Sequence, residues 1–366
     1  MKIIARDVSL PNPGSFKITN RNQRVTVFAR QLAVLFSTGI PLSRSLDILT
    51  DQSDDPAFAQ VLTEVTVMVN SGHLFSAALG RFARVFPSVM VHLVQVGENT
   101  GGLGISLSRV ADILEKDSNV LRRVKSALSY PIFILSLTLI LTLCVFYFVL
   151  PNFIGIFVSL KTPLPLITQL LIFITQALRS PGWWLVATGL AQLSYSWVSK
   201  SWNVPTGRVR IYSFLLSLPL IGSILLYSTI ARYCWVFGVT MESGMELTKS
   251  LRLASLASGS PALEADGARI IESVINGAPL HKHYRENPNV YPRVLAHMVL
   301  AAEESSTLSP TLARLGDMFD EDLLYRLELF NAALEPVLIS LMALVVGSVV
   351  VAIFLPLYGT IGDLGH

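Results

Sequence analysis

One chain carries the same pattern twice. Residues 28–134 can be laid over residues 233–339 at a constant offset of 205 without a gap, and 24 of the 107 aligned positions are identical. Ordinary residue frequencies would give about 7 identities by chance. A fixed offset kept over this length is the signature of an internal duplication. The chain must therefore fold as two copies of one unit.

The pattern within each copy is helical. Apolar residues spaced four, three and four apart lie on one face of a helix. The first copy has such a set at Leu103, Leu107, Val110 and Leu114. Proline and glycine breaks divide each copy into about six segments of this kind. We therefore predict an all-α protein in which each copy is a six-helix bundle.

Aligned breaks predict where the helices begin and end. Gly39 and Gly244 fall at the same place in the two copies, where a helix can close on a left-handed residue. Asp55–Pro56 and Ser260–Pro261 also align. Each pair sets an N-cap residue before a proline that suits the first helical position. We expect these positions to bound corresponding helices.

The composition indicates a membrane protein. Apolar types make up 52% of the 366 residues and charged types 14%, against roughly 25% charged in a soluble domain. About 20 apolar residues suffice to cross the ~30 Å hydrocarbon core of a bilayer. We predict transmembrane helices at 126–150, 180–199 and 334–360. Residues 211–230 are a weaker candidate, because Pro219 and Gly222 interrupt them.

Charge placement predicts the orientation. Arg122, Arg123 and Lys125 precede the first predicted span, and the positive-inside rule then places the N-terminus in the cytoplasm and the C-terminus in the periplasm. The middle span returns the chain to the cytoplasm between the copies. The other predicted segments are a short N-terminal leader (1–27), a cytoplasmic bundle (28–125), a periplasmic or interfacial loop and helix (151–179), and a cytoplasmic linker with the second bundle (200–333).

Motifs that carry chemistry are few. The sequence has no Gly-Lys pair as a P-loop requires, no G-x-S-x-G elbow and no H-E-x-x-H helix. The net charge of +3 is too small to indicate nucleic acid. His281 and His283 near Glu286 could suggest a metal, although two histidines in a polar loop are more often solvated. We predict no catalytic, metal or cofactor site, and no disulfide between Cys144 and Cys234.

A glutamate and an arginine recur in both copies. Glu98 and Glu303 each follow an apolar helical stretch, and an arginine follows each of them at the same spacing, Arg109 in the first copy and Arg314 in the second. The commoner interpretation is structural: the carboxylate caps the next helix or pairs locally with the arginine. The alternative is a polar contact with a partner or between protomers.

Three stretches are recognisable: "FARQLAVLFSTGIPLSRSLDIL" (28–49), "VFPSVMVHLVQVGENTGGLGISLSRVADILE" (85–115) and "SALSYPIFIL" (126–135). They resemble the platform-protein family of bacterial type II secretion systems and type IV pili, and the resemblance covers nearly the whole chain. The family's G-E-x-[ST]-G-x-L stretch matches Gly97, Glu98, Thr100, Gly101 and Leu103. In the second copy, Ala302 and Ser306 replace the two glycines.

The resemblance implies a non-enzymatic platform in the bacterial inner membrane that needs no cofactor and works as a homo-oligomer. The implied partners are a hexameric cytoplasmic assembly ATPase, pilins or pseudopilins, and other inner-membrane components of the machine, but not nucleic acid. The candidate partner-contact residues are Gly97, Glu98, Gly101, Leu103, Arg109, Glu303 and Arg314. One alternative is a small-molecule transporter or channel, although such proteins usually place ionisable residues inside their spans. The other is a membrane-bound enzyme.

Overall fold

A computed structural model describes residues 18–149, 205–218 and 221–363, together with isolated positions between 169 and 196. All regular structure in these ranges is helical, which confirms the predicted all-α class. The predicted middle span at 180–199 and the predicted loop and helix at 151–179 lie outside the described residues, apart from those isolated positions.

The first copy folds into six α-helices. They are α1 (Arg21–Ser37), α2 (Leu42–Asp51), α3 (Pro56–Asn70), α4 (Phe75–Arg81), α5 (Ser88–Thr100) and α6 (Leu103–Cys144), and a π-helical segment (Val145–Val149) follows. Helix α1 begins before the predicted start of the bundle at residue 28. Helix α6 passes through Pro131 without a break, so the last helix of the bundle continues into the predicted first span.

The second copy repeats this order after a separate helix, α7 (Pro205–Ser217). Its helices are α8 (Ile221–Glu242), α9 (Leu247–Ala257), α10 (Pro261–Ile275), α11 (Leu280–Glu286), α12 (Arg293–Glu304) and α13 (Leu308–Asp363). Each helix from α9 to α13 begins at the repeat offset from its counterpart in the first copy. The duplication predicted from the sequence therefore holds helix by helix.

The predicted caps explain why the breaks fall at the same places. The Asp55 carboxylate accepts hydrogen bonds from two backbone N–H groups in the first turn of α3, and the Ser260 hydroxyl accepts one in the first turn of α10. Gly39 and Gly244 follow α1 and α8 with φ of 86° and 79°. These φ values are left-handed, a region that glycine enters without steric cost.

Asp55 also ties α3 to α1. Burial by itself would raise the pKa of its carboxyl, but hydrogen bonds from the backbone N–H groups of Phe58, Thr19 and Ala57 outweigh it, and Arg24 adds a positive charge. The net effect holds the pKa below its usual value. The charged carboxylate lies 3.3 Å from the Arg24 guanidinium, so one side chain caps one helix and anchors another.

The two bundles belong to one compact unit, Met1–Arg122 with Leu225–Leu323. The core of the first copy contains the rings of Phe28, Phe58 and Phe86, whose centroids lie 5.9 to 6.4 Å apart. In the second copy, tyrosines replace two of these phenylalanines, at Tyr233 and Tyr291. Both are fully buried, so the two cores share their shape but differ in polarity.

The second compact unit, Arg123–Ile224 with Leu324–His366, contains the apolar parts of α6 and α13. Large apolar side chains such as Phe133, Ile140 and Leu344 are mostly exposed here, as expected for a lipid-facing surface. Both helices are long and apolar enough to cross a membrane. Their apolar parts overlap the spans predicted at 126–150 and 334–360, whose bounds stay predictions.

Helix α8 is the third helix that is long and apolar enough to cross a membrane among the described residues. More than half of its most apolar stretch is buried inside the protein. Ile230, Tyr233 and Phe237 lie in the core of the second bundle, where α8 takes the place that α1 has in the first. Packing within the bundle thus accounts for its apolar residues.

Candidate functional site

The recurring glutamate of the first copy caps a helix from a distance. The Glu98 carboxylate accepts hydrogen bonds from the backbone N–H groups of Phe75 (2.5 Å) and Ser76 (3.2 Å) and from the Ser76 hydroxyl. Phe75 and Ser76 begin α4, whose first N–H groups have no partner within the helix. A carboxylate at a helix N-terminus also complements the helix dipole. Glu98 therefore fixes α5 to the start of α4.

The second copy repeats this arrangement. Glu303 accepts hydrogen bonds from the backbone N–H groups of Leu280 (2.7 Å) and His281 (3.2 Å) at the start of α11. The imidazole Nδ1 of His281, 2.5 Å from Glu303, takes the place of the Ser76 hydroxyl. A structural cap thus accounts for the recurrence of both glutamates.

This geometry corrects part of the sequence interpretation. Each glutamate caps the helix before its own, not the next one, and within the described ranges the expected local pairs with Arg109 and Arg314 do not form. A cap donor and its acceptor here lie 23 residues apart in the chain, which a local pattern does not reveal. The sequence showed that these positions matter but not which groups they contact.

Two glycines of the G-E-x-[ST]-G-x-L stretch, Gly97 and Gly101, allow a close helix crossing and a turn. A Cβ atom on Gly97 would lie 2.7 Å from the Ser106 Cβ and 2.9 Å from the Leu103 Cα, so α5 approaches α6 closely there. Gly101 ends α5 with φ of 73°. In the second copy Ser306 adopts φ of 56°, so both copies have the same turn although the glycine is lost.

The two recurring arginines have different surroundings. Arg109 donates a hydrogen bond to the Ser243 hydroxyl (2.7 Å) and forms an ion pair with Glu242 (3.0 Å). It therefore bridges the first copy to the end of α8 in the second. Arg314 is exposed, and its side chain makes no hydrogen bond or ion pair with the described residues. Its guanidinium is thus accessible to a partner.

Comparison with known protein families decides the identity. The profile of the family "Type II secretion system (T2SS), protein F" matches the chain twice, over residues 28–151 and 233–356. The chain belongs to this family. The two matches cover more than half of the chain, and their starts are separated by the offset of the repeat.

Relatives from both kinds of machine align along most of their length. The type IV pilus assembly protein PilC of Thermus thermophilus is 30% identical over 347 residues, 93% of this chain and 83% of that protein. PilC of Pseudomonas aeruginosa is 26% identical over 359 residues, 98% and 94% of the two chains. The type II secretion system protein F of Xanthomonas campestris is 28% identical over 344 residues, 94% and 84%.

Family membership settles the broad class. Protein F and PilC are structural, non-enzymatic members of their machines, and the apolar helices together with the family support an inner-membrane protein. No cluster of three or more His, Cys, Asp or Glu side chains suited to a metal occurs among the described residues.

The histidines predicted to be solvated in a loop lie instead on helix α11, and one of them is buried. His283 Nε2 lies 2.7 Å from the Asp266 carboxylate, which also accepts a hydrogen bond from the Tyr291 hydroxyl at 2.9 Å. His281 is bound to Glu303, so the two imidazoles face different partners.

The polar cluster of Asp266, His283 and Tyr291 was missed by sequence reasoning. A comparison of the two copies could have shown it, since the first copy has Val61, Ala78 and Phe86 at the corresponding positions. Polar residues that replace apolar ones at three core positions of a repeat indicate that they contact one another.

We expect Glu303→Ala in this member of the protein F family to lower stability by about 1–2 kcal/mol, because it leaves donors at the start of α11 without an acceptor. The measurement is the thermal unfolding midpoint of the purified full-length protein in detergent. Glu304→Ala is the matched control, because Glu304 is the next residue and is exposed. Equal midpoints for the two variants would contradict the capping role.

Proposed function

We propose that this protein is the inner-membrane platform of a type II secretion or type IV pilus assembly machine. In this role its two cytoplasmic bundles engage a hexameric assembly ATPase, and its spans pass pilin or pseudopilin subunits into the growing filament. The protein acts as a homo-oligomer beside other inner-membrane components. The observation that carries the proposal is the double match to the family over both copies.

The helices that leave the bundles support the coupling role. Helix α6 runs without interruption from Leu103 to Cys144, and α13 runs from Leu308 to Asp363. At 1.5 Å per residue, the 42 residues of α6 extend about 63 Å. Each bundle is thereby joined to an apolar segment by a single helix, with no intervening loop. The coupling role requires a continuous connection of this kind between a bundle and its apolar segment.

The proposed orientation places both bundles in the cytoplasm and the C-terminus in the periplasm, following the positive-inside rule. Single cysteines at Thr63 and Ala268, which are exposed equivalents on α3 and α10, test it in a Cys144→Ser background. An impermeant maleimide should label neither site in spheroplasts and both after permeabilisation. Labelling of either site before permeabilisation would refute the orientation.

The role itself is tested by deleting the gene in its host and comparing surface filaments and secreted proteins. Loss of filaments with normal secretion would establish a pilus platform. Loss of secretion with normal filaments would establish a secretion platform. If neither changes while the gene is expressed, the proposed function is wrong, and solute flux in proteoliposomes becomes the next measurement.

The partner contact at Arg314 is tested separately by crosslinking in cells. A photoreactive residue at Arg314 on α13 should yield an adduct with the assembly ATPase or with another copy of this protein. The same residue at Thr63 on α3 is the surface control. An adduct with neither partner would remove Arg314 from the candidate contacts.

A further inference from the structure

The two bundles contact each other through unlike faces. We call the outer side of α5 and α6 in the first copy the α5–α6 face, and the outer side of α8 and α9 in the second copy the α8–α9 face. These two faces meet. Helices α5 and α9 are in contact. Arg109 of α6 bonds to the end of α8, and Asp117 of α6 forms an ion pair with Arg232 of α8 at 2.6 Å.

The second copy carries an uncovered version of the α5–α6 face. Val89 and Leu93 of the first copy are buried. Their counterparts on α12 are open to solvent, with Val294 48% exposed and Met298 43% exposed. Together with the exposed Arg314 of α13 they form the α12–α13 face. Its apolar positions correspond to positions that are buried on α5, the helix that contacts α9 in the first copy.

The first copy carries an uncovered version of the α8–α9 face. Val236 of α8 is buried and Val239 is partly covered, whereas their counterparts on α1, Gln31 and Val34, are exposed, with Val34 at 52%. Val27 of α1 corresponds to Arg232 of α8, which pairs with Asp117. Val27 is 48% exposed. The side of α1 and α2 that bears these residues is here the α1–α2 face.

Because the contact joins two different faces and each face is present in both copies, one face of each kind remains uncovered. The interface inside the chain uses the α5–α6 face of one copy and, in the other, the α8–α9 face together with Asp317 of α13, which pairs with Lys116. Each chain still presents the exposed residues of one α12–α13 face and of one α1–α2 face. The α12–α13 face corresponds to the α5–α6 face, and the α1–α2 face corresponds to the α8–α9 face, which bind each other within the chain. A heterologous contact of this kind repeats from protomer to protomer.

Of the polar contacts between the copies, that of Arg109 has a counterpart on the open faces, whereas the Lys116–Asp317 and Asp117–Arg232 ion pairs do not. Arg109 binds Glu242 and Ser243 at the end of α8. The counterparts of these three residues are Arg314, Ser37 and Thr38, and all three are exposed. The two residues with hydroxyl groups lie at the C-terminus of α1, and helix C-termini favour a cation.

We propose that the α12–α13 face of one protomer binds the α1–α2 face of a second copy of this chain, head to tail, as the two copies bind within the chain. The inference rests on the homo-oligomer included in the proposed function and specifies its contact surfaces. The repeated interface identifies a second copy as the occupant.

Cysteine crosslinking in membranes tests the contact. In a Cys144→Ser background, Thr38→Cys and Arg314→Cys chains with different tags are co-expressed and treated with a short bismaleimide. The expected product is a dimer that carries both tags, absent when either cysteine is omitted. Arg109→Cys with Ser243→Cys is the internal template and should crosslink within one chain.

Each other outcome overturns the proposal. No mixed dimer while the internal template reacts would show that the open faces do not meet. Dimers only between two Thr38→Cys chains would show a symmetric contact, and an adduct with a different protein would assign the faces to that partner. If Arg109→Cys and Ser243→Cys did not crosslink within one chain, the internal contact from which the proposal is drawn would be absent.

A surface variant gives an independent readout of the same contact. Met298→Glu should reduce the oligomer at least tenfold in blue native gels of the full-length protein. Val67→Glu is the matched control, because Val67 is exposed and its counterpart Glu272 is exposed as well. Equal oligomer in both variants would contradict the proposal. The deletion phenotype does not depend on these results, so the two hypotheses fail separately.

Discussion

Asp266→Val should destabilise the second bundle by about 3–5 kcal/mol, the cost of removing one member of a buried polar pair. Asp266 is buried and contacts the His283 imidazole and the Tyr291 hydroxyl. Its loss leaves both groups inside the core without this partner. The measurement is the thermal unfolding midpoint of the purified full-length protein.

The first copy provides a rescue for this variant. It has Val61 and Phe86 at the positions of Asp266 and Tyr291, so an apolar set is compatible with this fold. The triple variant Asp266→Val, His283→Leu and Tyr291→Phe removes all three polar groups together and should recover most of the lost stability. A triple variant no more stable than Asp266→Val would show that the cost lies in packing and not in unpaired polar groups.

Gly316→Val should cost about 3 kcal/mol through overpacking and a lost hydrogen bond. A Cβ atom on Gly316 would overlap Cδ1 of the Trp235 ring. The ring is buried, and its Nε1–H donates to the Asp317 carboxylate at 2.8 Å. It cannot move aside without losing that bond. The thermal unfolding midpoint of the full-length protein measures this loss.

Gly347→Val is the control for this second prediction. Gly347 lies on the same helix, and a Cβ atom there would meet nothing within 4 Å. Its valine variant should unfold close to the wild-type midpoint. Similar losses in both variants would mean that the substitution acts on the helix and not on the contact with Trp235.

The candidate site was only partly predictable. The recurrence of Glu98 and Glu303 is visible when the two copies are aligned, but their acceptor role at the starts of α4 and α11 is not. The turn after α12 was also hidden, because Ser306 adopts a backbone conformation that its residue type disfavours. The cap contacts join residues 23 apart in the chain, and the Ser306 turn departs from the preference of its residue type.

The amino-acid sequence alone predicts the duplication, the helical class, the ends of several helices and two of the apolar segments that are long enough to cross a membrane. These properties depend on composition, on periodicity and on side chains that bond to their own neighbouring backbone, as Asp55 and Ser260 do. Only the packed structure reveals which groups Glu98 and Glu303 bind, that the buried His283 contacts Asp266, and which faces of the two copies remain open. These features depend on residues far apart in the chain, whose meeting is set by how the helices pack and not by any local pattern.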